Sequence, residues 1–171
     1  PEVEDRLVPG HWEGDFIKGA VNRSAVGTLV ERSSRFVLLA QMDDCSSLSA
    51  LHGFSRVLRR VEPAMRKTMT YDRGTEMARH RELADANDIK VYFADPHSPW
   101  QRGSNENANG LIREYLPKGT DLSIVSQDEL NAIANKLNDR PRRVLDYQTP
   151  REVFAAMLVA EQTRLNNPLP C

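Results

Sequence analysis

Several features that would sort a sequence quickly into a class are scarce here. There are two cysteines, Cys45 and Cys171, far apart and with no CxxC pair or Cys/His cluster around them. Neither a disulfide framework nor a zinc site is therefore indicated, and a reducing cytoplasm is the natural setting. No apolar run is long enough to cross a bilayer, and no charged-then-apolar leader opens the chain, so no membrane partner is expected. Charge of one sign is not in surplus either: 23 Lys and Arg face 24 Asp and Glu, a net charge of -1. That balance excludes a protein that grips a polyanion by bulk electrostatics alone. Repeats and low-complexity tracts are missing. The first residue is Pro1 rather than Met, which suggests a soluble fragment of a longer protein.

The 171 residues, 40% of them hydrophobic, are enough for one domain with a real core and too few for two to be expected. Positive charge gathers locally in two groups, Arg56, Arg59, Arg60, Arg66 and Lys67, then Arg140, Arg142 and Arg143. Solvated faces account for such runs as readily as a polyanionic partner does.

Runs rich in Val, Leu, Phe and Trp predict strands over His11–Lys18, Ala25–Glu31 and Phe36–Met42, with Arg32–Arg35 as a hairpin connection. Apolar residues Leu51, Phe54, Leu58 and Val61 recur at helical spacing from Ser47 until Pro63 stops the pattern. A short strand Lys67–Tyr71, a helix Glu76–Ala86 and a strand Ile89–Ala94 follow. Two prolines and a glycine make Asp95–Gly103 a loop. Beyond it, Ala108, Leu111, Ile112, Tyr115 and Leu116 form one helical stripe, ended by Pro117 and Gly119. Ser126 and Glu129 read as a capping box for a helix to Asn138. Thr149 and Pro150 read as the cap and first turn of a last helix to about Leu165. This order of elements is that of an α/β, ribonuclease-H-like fold, a mixed five-stranded sheet with helices on both faces.

Three acidic residues stand in positions that matter for such a sheet. Asp15 lies in mid-strand, where aspartate is disfavoured and an inward charge needs a partner. An edge position facing solvent, or a pairing with Lys18, explains it equally. Asp72 follows a strand and precedes Gly74, at the kind of strand end where α/β sheets bind ligands; an ordinary turn aspartate explains that too. Glu106 sits in a first helical turn, where the helix dipole favours an acid without any function. Asn109 and Arg113 lie along the same side of that helix. Together, carboxylates from separate elements suit Mg²⁺, which takes oxygen ligands and leaves positions for water and phosphate. Two such carboxylates about 4 Å apart would otherwise repel by roughly 4 kcal/mol at an effective dielectric near 20.

The segments HWEGDFI, TYDRGTE, DPHSPWQRGSNENANGLIREYLP and LNDRPRRVLDYQTPREVF resemble the catalytic core of bacterial insertion-sequence transposases of the IS-thirty type, within the DDE transposase and retroviral integrase superfamily. The resemblance covers essentially the whole chain, and the 33 residues between Asp72 and Glu106 match the family's spacing. It implies that residues 1–171 are an integrase-type catalytic core lacking the N-terminal DNA-recognition domain. It further implies that Asp15, Asp72 and Glu106 are catalytic metal ligands for two Mg²⁺ ions, with Mn²⁺ as a substitute. Trp100, Gln101, Arg102, Asn109 and Arg113 are the implied DNA contacts, although Trp100 also fits as a hydrophobic anchor for its loop. His80 and His97 are expected to be surface or satisfied histidines. One departure is Arg73, where integrase-like proteins often have Asn. The reaction implied is in-line phosphoryl transfer, cleaving and joining DNA at the element's inverted repeats, by a homo-oligomer on paired ends associated with the nucleoid. A nuclease of the same fold that hydrolyses without joining, and an assembly module without catalysis, are the rival readings.

Overall fold

The computed structural model describes residues 8–71, 78–94, 103–168 and 170, with the side chains of residues 103 and 105 excepted. Five strands form one sheet: β1 His11–Lys18, β2 Ala25–Glu31, β3 Val37–Gln41, β4 Thr68–Tyr71 and β5 Lys90–Phe93. Their order across the sheet is β3-β2-β1-β4-β5. β1, β2 and β3 are antiparallel neighbours, whereas β4 runs parallel to β1, and β5 parallel to β4. The first half folds as hairpins because its turns are short, and Arg35 closes one of them in the left-handed region at φ 64°. The parallel pairings need crossovers, which the helices supply.

The helices are α1 Ser47–Leu58, α2 His80–Asn87, α3 Gly103–Ile112, α4 Gln127–Asn138 and α5 Pro150–Asn166. Side-chain alternation along β1 sorts them onto two faces. Trp12 joins a core with Phe54 and Val57 of α1 and Leu83 of α2, against which Phe16 and, from α5, Phe154 and Met157 pack. Ile17 joins the opposite core with Ala108 and Ile112 of α3 and Leu130, Ala134 and Leu137 of α4. Trp12 is fully buried, and its indole N–H donates to the Met65 carbonyl at 2.7 Å, so the ring is both packed and satisfied.

The strand bounds of β1 and β2 are those the sequence predicts, and β3 is one residue shorter at each end. Helix α3 stops at Ile112, short of the expected Leu116. The Glu114 and Tyr115 N–H groups bond three residues back, to Leu111 and Ile112, so the last turn is tightened. Leu116 is buried all the same. Helix α1 tightens in the same way at Arg60 and Val61. The N-cap residues are those expected: Ser126 Oγ accepts from the Glu129 N–H at 3.1 Å, which is the Ser126 half of the expected capping box, and Thr149 Oγ1 from the Glu152 N–H at 3.1 Å. The helix expected over Glu76–Ala86 forms as His80–Asn87, with residues 78 and 79 in a turn before it; residues 76 and 77, and the expected loop at 95–102, lie outside the described residues.

Strand β3 is a sheet edge, and α4 lies along it. Asn138 accepts from the Val37 N–H and donates to the Val37 carbonyl, each at 2.9 Å. About three turns earlier, Gln127 donates to the Leu39 carbonyl at 2.8 Å and accepts from the Gln41 N–H at 2.9 Å. Two side-chain amides thus satisfy both outward groups of Val37, the Leu39 carbonyl and the Gln41 N–H.

Candidate active site

Alternation places Asp15 on the face of β1 covered by α3 and α4, one residue before Phe16 turns to the opposite core. Its partner across the antiparallel pair is Thr28, itself buried, whose hydroxyl donates to the Asp15 carbonyl at 3.3 Å. On the other side Gly14 pairs with Tyr71. Asp15 and Asp72 are the residues that follow this pair in sequence; Asp72 itself lies outside the described residues.

Both carboxylate oxygens of Asp15 are bonded. Oδ1 accepts from the Phe16 N–H at 2.8 Å, and Oδ2 accepts from Asn109 Nδ2 at 2.9 Å. The second bond crosses 94 residues of sequence and fixes the approach of α3 to the sheet. Glu106 stands three residues before Asn109, one turn along the same side of α3, and is exposed. The bond sets the Asn109 side of the helix on the half-buried Asp15, while Ala108 and Ile112 enter the core. Asn109 Oδ1 is buried and has no hydrogen-bond partner among the described residues. A buried orphan acceptor next to a carboxylate is costly unless something else completes it.

The N-terminus of α3 is tied to the sheet by Arg35, whose guanidinium donates to the buried Ser104 hydroxyl. At the other end Arg113 donates to the Lys18 carbonyl at 3.1 Å and to the Leu116 carbonyl at 3.3 Å. Arg113 thus locks the end of β1 to the turn after α3. His80 packs edge-on against Phe93 at 4.9 Å. Trp100, Gln101, Arg102 and His97 lie outside the described residues. Among the described residues no three His, Cys, Asp or Glu side chains cluster as a metal site, and no helix is long and apolar enough to cross a membrane.

Sequence reasoning set Asn109 on the Glu106 side of its helix, as a DNA contact, and missed its bond to Asp15. The signal available was its place three residues after Glu106. It also passed over two buried strand glutamates. Glu31 accepts from Ser33, Ser34 and Gly10 N–H groups and so builds the β2–β3 turn. Glu13, 1% exposed, pairs with Arg32 at 3.2 Å.

Comparison with known proteins bears on this geometry. Residues 5–99 match the family model described as the integrase core domain. The chain is 60% identical over 165 residues, 96% of its length, to the transposase for insertion sequence element IS1086 of Cupriavidus metallidurans. It is 44% identical over 152 residues, 89% of its length, to the transposase InsI for IS30A of Escherichia coli K12. The aligned parts make up 49% and 39% of those proteins, so the chain spans half or less of the curated relatives it matches. Among solved structures, the catalytic core domain of BIV integrase is similar with a TM-score of 0.67 at 19% identity, covering 91% of this chain and 98% of that one. A simian T-cell lymphotropic virus intasome chain is similar at 0.60 and 17% identity, covering 77% and 49%. At such identities the likeness shows the fold alone, the ribonuclease-H-like one.

Proposed function

The chain belongs to the integrase core domain family, and from that premise we propose that it is the catalytic core of an IS30-type DDE transposase, cutting DNA strands at element ends and joining them to target DNA. The bond between Asn109 and Asp15 is the observation that carries this reading, because it holds the Glu106 side of α3 against the Asp15 strand. Asp15, Asp72 and Glu106 are the proposed catalytic carboxylates.

The donor set fits a hard divalent cation: the carboxylates of Asp15 and Glu106 and the orphaned Asn109 Oδ1 are all oxygen. Two Mg²⁺ ions, or Mn²⁺ in their place, would be held by the three carboxylates and would supply Lewis-acid activation of the attacking and leaving oxygens. The protein's own contribution is positioning. Asn109 and the Phe16 N–H fix both oxygens of Asp15, so the carboxylate does not have to be ordered when substrate arrives. Glu106 is exposed, so a cation that it helped to hold would stay open to a DNA phosphate. No side chain is needed as a nucleophile; a water or a DNA 3′-hydroxyl attacks in line. The partners are the element's inverted repeats and target DNA, engaged by a homo-oligomer, with Arg113, Trp100, Gln101 and Arg102 as DNA contacts; Asn109, expected among them, has its amide nitrogen on Asp15 and its oxygen buried, and positions the carboxylate instead.

The test is Glu106→Gln in the whole transposase with labelled element ends. Loss of both cleavage and strand transfer with an unchanged fold is expected, since Glu106 is exposed and its shape is kept. Wild-type cleavage by the variant would remove Glu106 from the site. Hydrolysis with no joined product from the wild-type protein would favour a nuclease.

A further inference from the structure

The second basic group of the sequence falls on the loop between α4 and α5. A single 3-10 turn, Arg143–Leu145, forms its centre. Tyr147 N–H donates back to the Arg142 carbonyl at 2.8 Å, and Arg142 N–H donates to the Gln148 carbonyl at 3.0 Å, closing the loop on itself. Asp146 and Tyr147 both adopt left-handed backbone, at φ 52° and 65°. Aspartate tolerates that region, whereas for the Tyr147 backbone it costs about 1–2 kcal/mol.

This backbone holds Tyr147 out at 70% exposure and Val144 at 62%. Arg140 is tied inward, to the Tyr115 hydroxyl at 3.0 Å and to Glu114 at 3.5 Å. Arg142 and Arg143 have no ion pair among the described residues. Burial, and after it the charge of Arg140, disfavours the cationic form of Arg142. The loop therefore carries two features that its own fold leaves uncompensated: adjacent unpaired guanidiniums, and an aromatic ring on strained backbone in water.

One class of partner relieves both. Phosphates accept from guanidinium forks, and unstacked bases cover aromatic rings. We propose that loop 140–148 is a DNA-strand contact separate from the carboxylate site, with Arg142 and Arg143 on phosphates and Tyr147 stacked on an unpaired base. It rests on the reading above that the chain acts on DNA. The placement is coherent with that site through a shared support. Arg151, just past the loop, lies over the Phe36 ring at 5.8 Å, and Arg35, next to Phe36, holds Ser104 at the start of the glutamate helix.

Fluorescence anisotropy of the 171-residue chain with a labelled duplex ending in a single-stranded 3′ overhang, over a range of KCl concentrations, tests it. The double variant Arg142→Ala/Arg143→Ala is expected to lower the slope of log affinity against log salt by about 1.8, or about 0.9 per lost phosphate contact. Arg143 is exposed, so Arg143→Ala alone carries the test, with a fall of about 0.9, if circular dichroism shows the double variant misfolded. Tyr147→Ala is expected to weaken overhang binding roughly 5- to 100-fold while leaving a blunt duplex nearly unaffected, and Tyr147→Phe to restore it. Equal slopes and affinities for wild type and variants, with the wild type binding DNA, would overturn the loop contact and leave the transposase reading standing. No DNA binding by the wild type at any salt would overturn the loop contact and count against that reading as well.

Discussion

Replacing Asn109 by Asp changes one atom that matters. The amide nitrogen donating to Asp15 Oδ2 at 2.9 Å becomes a carboxylate oxygen. Two full charges at that distance repel by about 6 kcal/mol at an effective dielectric of 20. The pair has a cheaper escape, because binding one proton near pH 7 to a carboxyl of ordinary acidity costs about 4 kcal/mol. Rotation of the half-buried side chain lowers the cost further, so Asn109→Asp is expected to destabilise the fold by about 3 kcal/mol near neutrality. For a chain of this size that is a fall in melting temperature of about 6–12 °C. The sign of the pH dependence follows. The carboxyl's folded-state pKa is raised above its unfolded value, so the penalty is fully present above the folded pKa and vanishes as pH falls below the unfolded one. A divalent cation offers a second escape. Millimolar Mg²⁺ or Mn²⁺ is expected to raise the melting temperature of the variant more than that of the wild type, because the new oxygen joins the oxygen set. Thermal unfolding followed by circular dichroism at pH 7 and pH 5, with and without metal, reads both effects. A variant as stable as the wild type in metal-free buffer at neutral pH would refute the contact. A variant destabilised but indifferent to metal would refute the cation site while leaving the contact intact.

Further expectations concern the support around the site. Glu161 is nearly buried under Arg164 at 2.6 Å and Lys67 at 2.8 Å. Its bond to Arg164, opposed by burial and aided by Lys67, brings its pKa from 4.5 to about 2. The full shift corresponds to roughly 3 kcal/mol. Arg164 is 64% exposed, so screening reduces the contribution to about 1–2 kcal/mol. Because the folded pKa is depressed, that stability is present above the unfolded value and lost as pH falls from about 4.5 towards 2. Glu161→Gln is expected to melt lower than wild type at neutral pH and to converge with it in acid, as a pH series of melting curves would show. At Gly19, a Cβ would sit 2.7 Å from the Thr120 carbonyl oxygen, where backbone has to move. Gly19→Ala is expected to lose about 1–3 kcal/mol in urea titration, and no loss would mean that the end of β1 is not held by this approach.

How much of this was legible in the sequence depended on the kind of interaction. β1 and β2 were readable to the residue because strand alternation and short turns are local signals. The Ser126 and Thr149 caps were readable because one side chain meets a backbone group three residues away. The end of α3 was not, since positions three and four residues apart both face inward. The apolar stripe through Leu116 therefore persists while the backbone switches to three-residue bonding. Glu13 and Glu31 were passed over because burial of a charge depends on distant or turn partners that no periodicity encodes. The Asp15–Asn109 bond spans 94 residues; the spacing from Glu106 could say which way Asn109 faced and nothing about what it met.

The amide pair of α4 along β3 has a consequence for assembly. Asn138 and Gln127 occupy the bonding positions that another strand would need at Val37, Leu39 and Gln41. A second chain cannot extend the sheet on that flank without first displacing a helix. Copies of the protein that meet there do so through side chains, whose shape and charge can be made specific to the right partner, rather than through backbone, which any strand can match.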